Sequence, residues 1–129
     1  KRRTKMKSII KTDKAPAAIG PYSQAVEVNK MVYTSGVIPV NPGTGEIPKG
    51  VREQASQAFS NLKNLLEAAG SGMEQVVKTT VFIKEMNDFG VINEIYAEYF
   101  PEPYPARSCV EEARLPKDVL LEIEAIATK

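Results

Sequence analysis

Hydrophobic and polar positions change spacing along the chain, and the changes divide it into eight elements. Residues 7–11 (Lys-Ser-Ile-Ile-Lys) predict a short first strand. The stretch Ala15 to Tyr22 carries two prolines and a glycine and is expected to be irregular. Ala25–Val28 and Met31–Thr34 alternate and flank Asn29-Lys30, which predicts a two-residue hairpin because Asn tolerates positive φ. Asn41-Pro42-Gly43-Thr44-Gly45 is a turn cluster. From Val51 to Ala69 the spacing becomes helical: Val51, Ala55, Ala58, Phe59, Leu62, Leu65, Leu66 and Ala69 form one stripe, and Gly70 follows as a stop. Val76 to Ile83 is rich in β-branched residues and predicts a central strand. Phe89, Ile92, Ile95, Tyr96 and Tyr99 predict a second helix over 89–99, capped by Asn87 or Asp88 and ended by Pro101. Pro101, Pro103 and Pro105 mark an irregular connection. Strands over Arg107–Glu111 and Val119–Ala127 complete the order β-β-β-α-β-α-β-β. The expected fold class is α+β: a mixed β-sheet with two helices packed on one face.

The last strand holds a conflict. Val119, Leu121, Ile123, Ala125 and Ala127 point one way and suit a helix-covered face. Leu120, Glu122, Glu124 and Ile126 point the other way, two carboxylates between two large apolar residues. A solvent face rarely reads so, and another subunit covering it is the favoured expectation. A carboxylate there must be paired, hydrogen-bonded or protonated.

Composition sharpens this picture mainly by exclusion. The 129 residues contain no His and one Cys, so a Ser-His-Asp triad, an imidazole metal site, a thiolate cage and an internal disulfide are all excluded. Hydrophobic residues at 43% and charged residues at 26% are ordinary for a globular domain and argue against disorder. The formal charge of +1 is uneven: four of the 17 basic residues lie in residues 1–5, leaving 13 against 16 acidic and a net −3. Residues 1–5 therefore read as a leader or expression remnant before Met6, with a single domain over 6–129; a basic tail is the other reading. No apolar run approaches the length of a membrane span, and a lone Cys without a signal sequence suits the cytoplasm.

Chemistry must then come from carboxylates, hydroxyls, amines, guanidinium, backbone groups or water. Arg107, between a proline-rich loop and a strand, is either a surface side chain, paired for instance to Glu111, or a clamp for a ligand carboxylate or phosphate. Glu122 and Glu124 are either an ion-paired or solvated face, or hold an acid/base or water-positioning group. Tyr22 is a loop aromatic or a pocket wall. Ser35 is a turn hydroxyl or a donor to a ligand, with Gly36 allowing close backbone approach. Cys109 reads as a small apolar group, since no His can activate it. Gly43-Thr44-Gly45 is no phosphate loop, and Tyr22, Tyr33 and Phe82 are not interleaved with a basic stripe as RNA binding would need.

Several segments together resemble the Rid family (YjgF), and its RidA subgroup in particular. They are Ala15 to Ala25, Thr34-Ser35-Gly36 with Ile38-Pro39-Val40, Gln54 to Gly70, Val77 to Phe82, Asn87-Asp88-Phe89, Pro105 to Val110, Ala113 to Asp118 and Glu122 to Ala127. The resemblance implies a chorismate-mutase-like fold and a homotrimer whose sheets form a central barrel, with ligand clefts between subunits. It implies hydrolysis of 2-imino or enamine acids, such as 2-aminoacrylate, 2-iminopropanoate and 2-iminobutanoate, to 2-keto acids and ammonia. It implies no cofactor or metal, and a functional link to pyridoxal-phosphate-dependent dehydratases, which generate such imines. Carried over, Arg107 clamps the substrate carboxylate with the backbone N–H of Cys109, Glu122 positions or activates water, Ser35 and Gly36 contact substrate, and Tyr22 closes the pocket. The alternatives are a 2-keto-acid-binding module of the same fold and, less favoured, an RNA-directed ribonuclease or translation inhibitor.

Overall fold

The computed structural model describes residues 6–129; the leader reading of residues 1–5 lies outside them. The strands are β1 (Ser8–Ile10), β2 (Ala25–Val28), β3 (Met31–Thr34), β4 (Val76–Ile83), β5 (Ala106–Glu111) and β6 (Leu121–Thr128), and the helices are α1 (Val51–Ala68) and α2 (Phe89–Tyr99). All six strands join one sheet in the order β1-β2-β3-β6-β4-β5. Every pair is antiparallel except β4–β5, which α2 joins as a crossover.

Each boundary has a local cause. Asn29 (φ 53) and Lys30 (φ 64) both take left-handed backbone, the geometry that turns a two-residue hairpin. Gly70 (φ 83) stops α1, and the Ser71 N–H reaches back to Leu66 O at 2.9 Å. The expected cap of α2 is different: Asp88 makes no side-chain cap bond, because a helical turn over Met86–Asp88 leads straight into the helix. Instead the Glu85 carboxylate accepts the Asn87 N–H ahead of that turn. The last strand starts at Leu121 rather than Val119. Lys117 and Asp118 (φ 55 each) hold a tight turn first, braced by an Arg114–Asp118 ion pair at 3.2 Å.

Both helices lie on one face of the sheet, and the core sits between. Phe59 of α1 is fully buried, with edge contacts to Tyr96, Tyr99 and Phe100. Leu121, Ile123, Ala125 and Ala127 of β6 are buried towards it, as the alternation predicts. Glu122, Glu124 and Ile126 point to the other face and are half-buried. Tyr33 and Val110 are exposed there (41% each) among the described residues.

Candidate active site

A cavity of about 830 Å³ opens where the irregular segment 15–22 faces the segment after β3. Tyr22, Ser35, Gly36 and Glu122 all line it, together with Ile38, Leu65 and Lys117. Four of the expected site residues are thus brought together.

Three buried side-chain amides hold the walls. The Gln24 side chain donates to Thr12 O, Ala15 O and Pro16 O and accepts the Thr12 N–H at 2.8 Å, so one residue shapes the first wall. Asn61, fully buried on α1, donates to Ile38 O (3.0 Å) and Val40 O (2.9 Å) and ties the second wall to the helix. Gln54 donates to Pro48 O and accepts the Leu120 N–H, anchoring the lead into β6. These carbonyls have no strand partner, and burial without one would be costly.

Gly36 packs directly on Glu122: a Cβ at position 36 would overlap the Glu122 carboxylate. Burial pushes the Glu122 carboxyl above the ordinary carboxylate range, and the neighbouring charges of Glu124 and Glu112 push it the same way. Ser35 bonds outside its own turn. Its hydroxyl donates to Ser23 O at 2.6 Å, and its N–H to Gln24 O at 2.9 Å. With its proton committed there, the oxygen is left free to accept a hydrogen bond, not to give the expected one.

Arg107 and Cys109 stand elsewhere. Their side chains point to the helix face of β5, at the sheet edge, whereas Glu122 points away from the helices two strands inward. Arg107 is not paired to Glu111, whose carboxylate accepts the Met86 N–H. Its guanidinium donates to Asn93 Oδ1 at 2.8 Å and lies over the rings of Tyr96 (4.6 Å) and Phe89 (5.3 Å). Among the described residues no carboxylate pairs with it. Burial pushes the Cys109 thiol up, opposed by Arg107, so the sulfur stays protonated.

The backbone of β5 adds donors. Glu112 N donates to Ile83 O at 2.8 Å, and in a parallel ladder alternate residues share that side. The N–H groups of Arg107 and Cys109 therefore point to the open edge. A guanidinium without a carboxylate partner beside outward-pointing N–H groups is a donor set of the kind that suits an anion.

The chain matches the family described as Endoribonuclease L-PSP over residues 12–129. It belongs to that family, the YjgF/RidA family. A 2-iminobutanoate/2-iminopropanoate deaminase of Escherichia coli K12 is 55% identical over 127 residues, spanning 96% of this chain and 99% of the relative. A RutC family protein of Haemophilus influenzae is 56% identical over 128 residues, spanning 96% and 98%. Among solved structures, E. coli TdcF with bound serine superposes with a TM-score of 0.91 at 54% identity, covering 95% of this chain and 98% of that one. The RidA of an Antarctic Psychrobacter gives 0.92 at 47% identity, covering 95% and 99%. The α+β fold read from the sequence is that of this family.

For a YjgF/RidA member, the sequence reading singled out Arg107, Glu122, Ser35 and Gly36, passed over Asn93 and the three wall amides, and took Tyr96 only as part of an apolar stripe. Asn93 and Tyr96 did carry a signal: with Phe89 they recur at helical spacing and share a face of α2. The amides carried none, since a buried Gln and a solvated Gln look alike in sequence.

Proposed function

We propose that this chain hydrolyses reactive 2-imino and enamine acids, including 2-aminoacrylate, 2-iminopropanoate and 2-iminobutanoate, to 2-keto acids and ammonia. Near full-length relatives at about 55% identity carry that activity in their names. The observation that carries the reading is Glu122, a half-buried carboxylate held against Gly36 in a largely apolar cavity. A keto-acid sensor needs Arg107 but has no use for such a group.

The chemistry needs no nucleophilic side chain. A protonated imine is already electrophilic, so the protein must hold the carboxylate, orient the carbon and deliver one water. Arg107 and the Cys109 N–H take the carboxylate. Ser35 accepts a hydrogen bond from the imine nitrogen or the water. Glu122 accepts a proton from the water as it adds, and its charge offsets the iminium. Glu122 returns that proton to the carbinolamine nitrogen; the C–N bond then breaks to release ammonia, and the hydroxyl proton passes back to Glu122 as the keto C=O forms, and from there to solvent.

The two halves lie on opposite faces of one sheet, so a complete site takes Arg107 and Cys109 from one copy and Tyr22, Ser35, Gly36 and Glu122 from its neighbour. A homotrimer that closes the open sheet faces into a barrel would supply this and would cover Tyr33, Val110 and Ile126. Pyridoxal-phosphate-dependent dehydratases would supply the imines, in the cytoplasm. No helix among the described residues is long and apolar enough to cross a membrane. The ribonuclease of the family description has less support here: the chain has no His, and its charge is near neutral.

The test follows keto-acid release from a serine or threonine dehydratase, with and without this protein, beside the Arg107→Ala variant. Faster release that vanishes in the variant supports the reading. Unchanged release, with dehydratase turnover confirmed, sinks it.

A further inference from the structure

An arginine that binds a ligand carboxylate faces two opposing demands. Its long side chain must be fixed, or the entropy of fixing it weakens binding. Yet the usual way to fix it, a carboxylate partner, would neutralise the charge and compete with the ligand. Arg107 is held entirely by neutral groups, and the arrangement is continuous through the core.

Phe89, Asn93 and Tyr96 line one face of α2 beneath the guanidinium. Tyr96 is the central member. Its ring is 5% exposed and stacks on Phe100 at 4.2 Å with 25° between planes. Phe59 meets it edge-on at 5.7 Å and 88°. Sterics leave only the face opposite Phe100 for Arg107. The phenol oxygen is bound to Thr79 Oγ1 at 2.8 Å, and Thr79 is fully buried. Thr79 is also the register partner of Arg107 across β4 and β5. The chain therefore closes a ring of contacts: Arg107 lies on Tyr96, Tyr96 is bonded to Thr79, and Thr79 sits beside the Arg107 backbone.

We propose that Tyr96, braced by Thr79 and Phe100, is a positioning residue that presents Arg107 as an uncompensated, preoriented clamp for the substrate carboxylate. It touches no substrate. Its electron-rich face attracts the cation without cancelling its charge, and this attraction strengthens where water is excluded. The inference rests on the proposed role of Arg107 and adds the group that makes that role possible.

The test measures pyruvate affinity by calorimetry, with KM and kcat for an imine generated in the assay. Replacing the ring in Tyr96→Leu should weaken pyruvate binding and raise KM by about 10-fold, with a smaller change in kcat. Tyr96→Phe, which keeps the ring, should recover most of the loss. Should Tyr96→Leu not fold, 3,4,5-trifluorophenylalanine at position 96 preserves the shape and removes the negative face. It should bind pyruvate several-fold more weakly than Tyr96→Phe. Equal affinities for those two variants, or an unchanged KM in a folded Tyr96→Leu, would overturn the proposal. Arg107→Ala separates the two levels. If that variant keeps wild-type pyruvate affinity, the clamp itself is misassigned. If it loses affinity and Tyr96→Leu costs nothing further in its background, the tyrosine acts through the arginine.

Discussion

If one active site draws on two copies of the chain, two dead variants should revive each other. Arg107 sits on β5, and Glu122 sits on β6 with β4 between them. Two strand steps span about 10 Å, and the side chains leave the sheet on opposite faces. The substrate's carboxylate and imine carbons are adjacent atoms, about 1.5 Å apart. No small imino acid can touch both groups of the same chain. Arg107→Ala and Glu122→Gln should each be nearly inactive alone. Mixed in equal amounts under conditions that exchange subunits, each position in a cyclic assembly is filled by either variant with equal chance. A site is intact when its arginine donor is the Glu122→Gln chain and its glutamate donor is the Arg107→Ala chain, which holds for about a quarter of sites. The assay is keto-acid release on the mixture, with two affinity tags confirming mixed assemblies. Recovery near a quarter of wild-type activity is expected. A tagged, mixed assembly as inactive as its parents would refute a shared site and with it the pairing of Arg107 with Glu122.

Four other outcomes are expected. Gly36→Ala should leave the fold intact, as judged by its melting temperature, but displace the Glu122 carboxylate and lower kcat by about 100-fold. The rate should fall as pH drops through the raised Glu122 pKa, because the water-activating form is the ionised one. Glu124→Gln removes a repulsive neighbour and should move that limb to lower pH in a kcat–pH profile. The sign for stability is opposite: the ionised, desolvated carboxylate disfavours the fold above its raised pKa. Glu122→Gln should therefore raise the melting temperature at neutral pH, and the gain should fade in acid. Asn61→Ala removes the amide donor of Val40 O, while Ile38 O keeps the Val40 N–H, and should cost about 1–3 kcal/mol in urea unfolding.

How much of this was legible beforehand depends on whether the signal is local. The α1 stripe, the Asn29-Lys30 hairpin and the β6 alternation are short-range patterns, and each survives in the fold with boundaries within about two residues. The turn at Lys117-Asp118 was not legible, because neither residue type marks left-handed backbone as glycine does. Alternation placed Glu122 and Glu124 on one face of the last strand. It could not relate that face to Arg107 and Cys109, since that needs the β4–β5 and β4–β6 registers, set by contacts far apart in sequence. Gln24 and Asn61 were invisible for the same reason: their partners lie 8–12 and 21–23 residues away.

A site divided between two copies, as proposed, would also explain why so few reactive side chains suffice. In a single chain, a bare guanidinium and a desolvated carboxylate within reach of each other would form an ion pair, each cancelling the other's use. Placed on opposite faces of a sheet, they fold without meeting. Arg107 rests on aromatic faces and an amide; Glu122 rests against a glycine and near its own kind. In the proposed shared site both charges would stay unsatisfied until two copies meet, when a zwitterionic imino acid would be set between them, its carboxylate towards the arginine and its iminium towards the glutamate. The substrate then completes the pair that the fold withholds. Binding energy comes from charges already in position, without solvent or side chains having to reorganise at the moment of reaction.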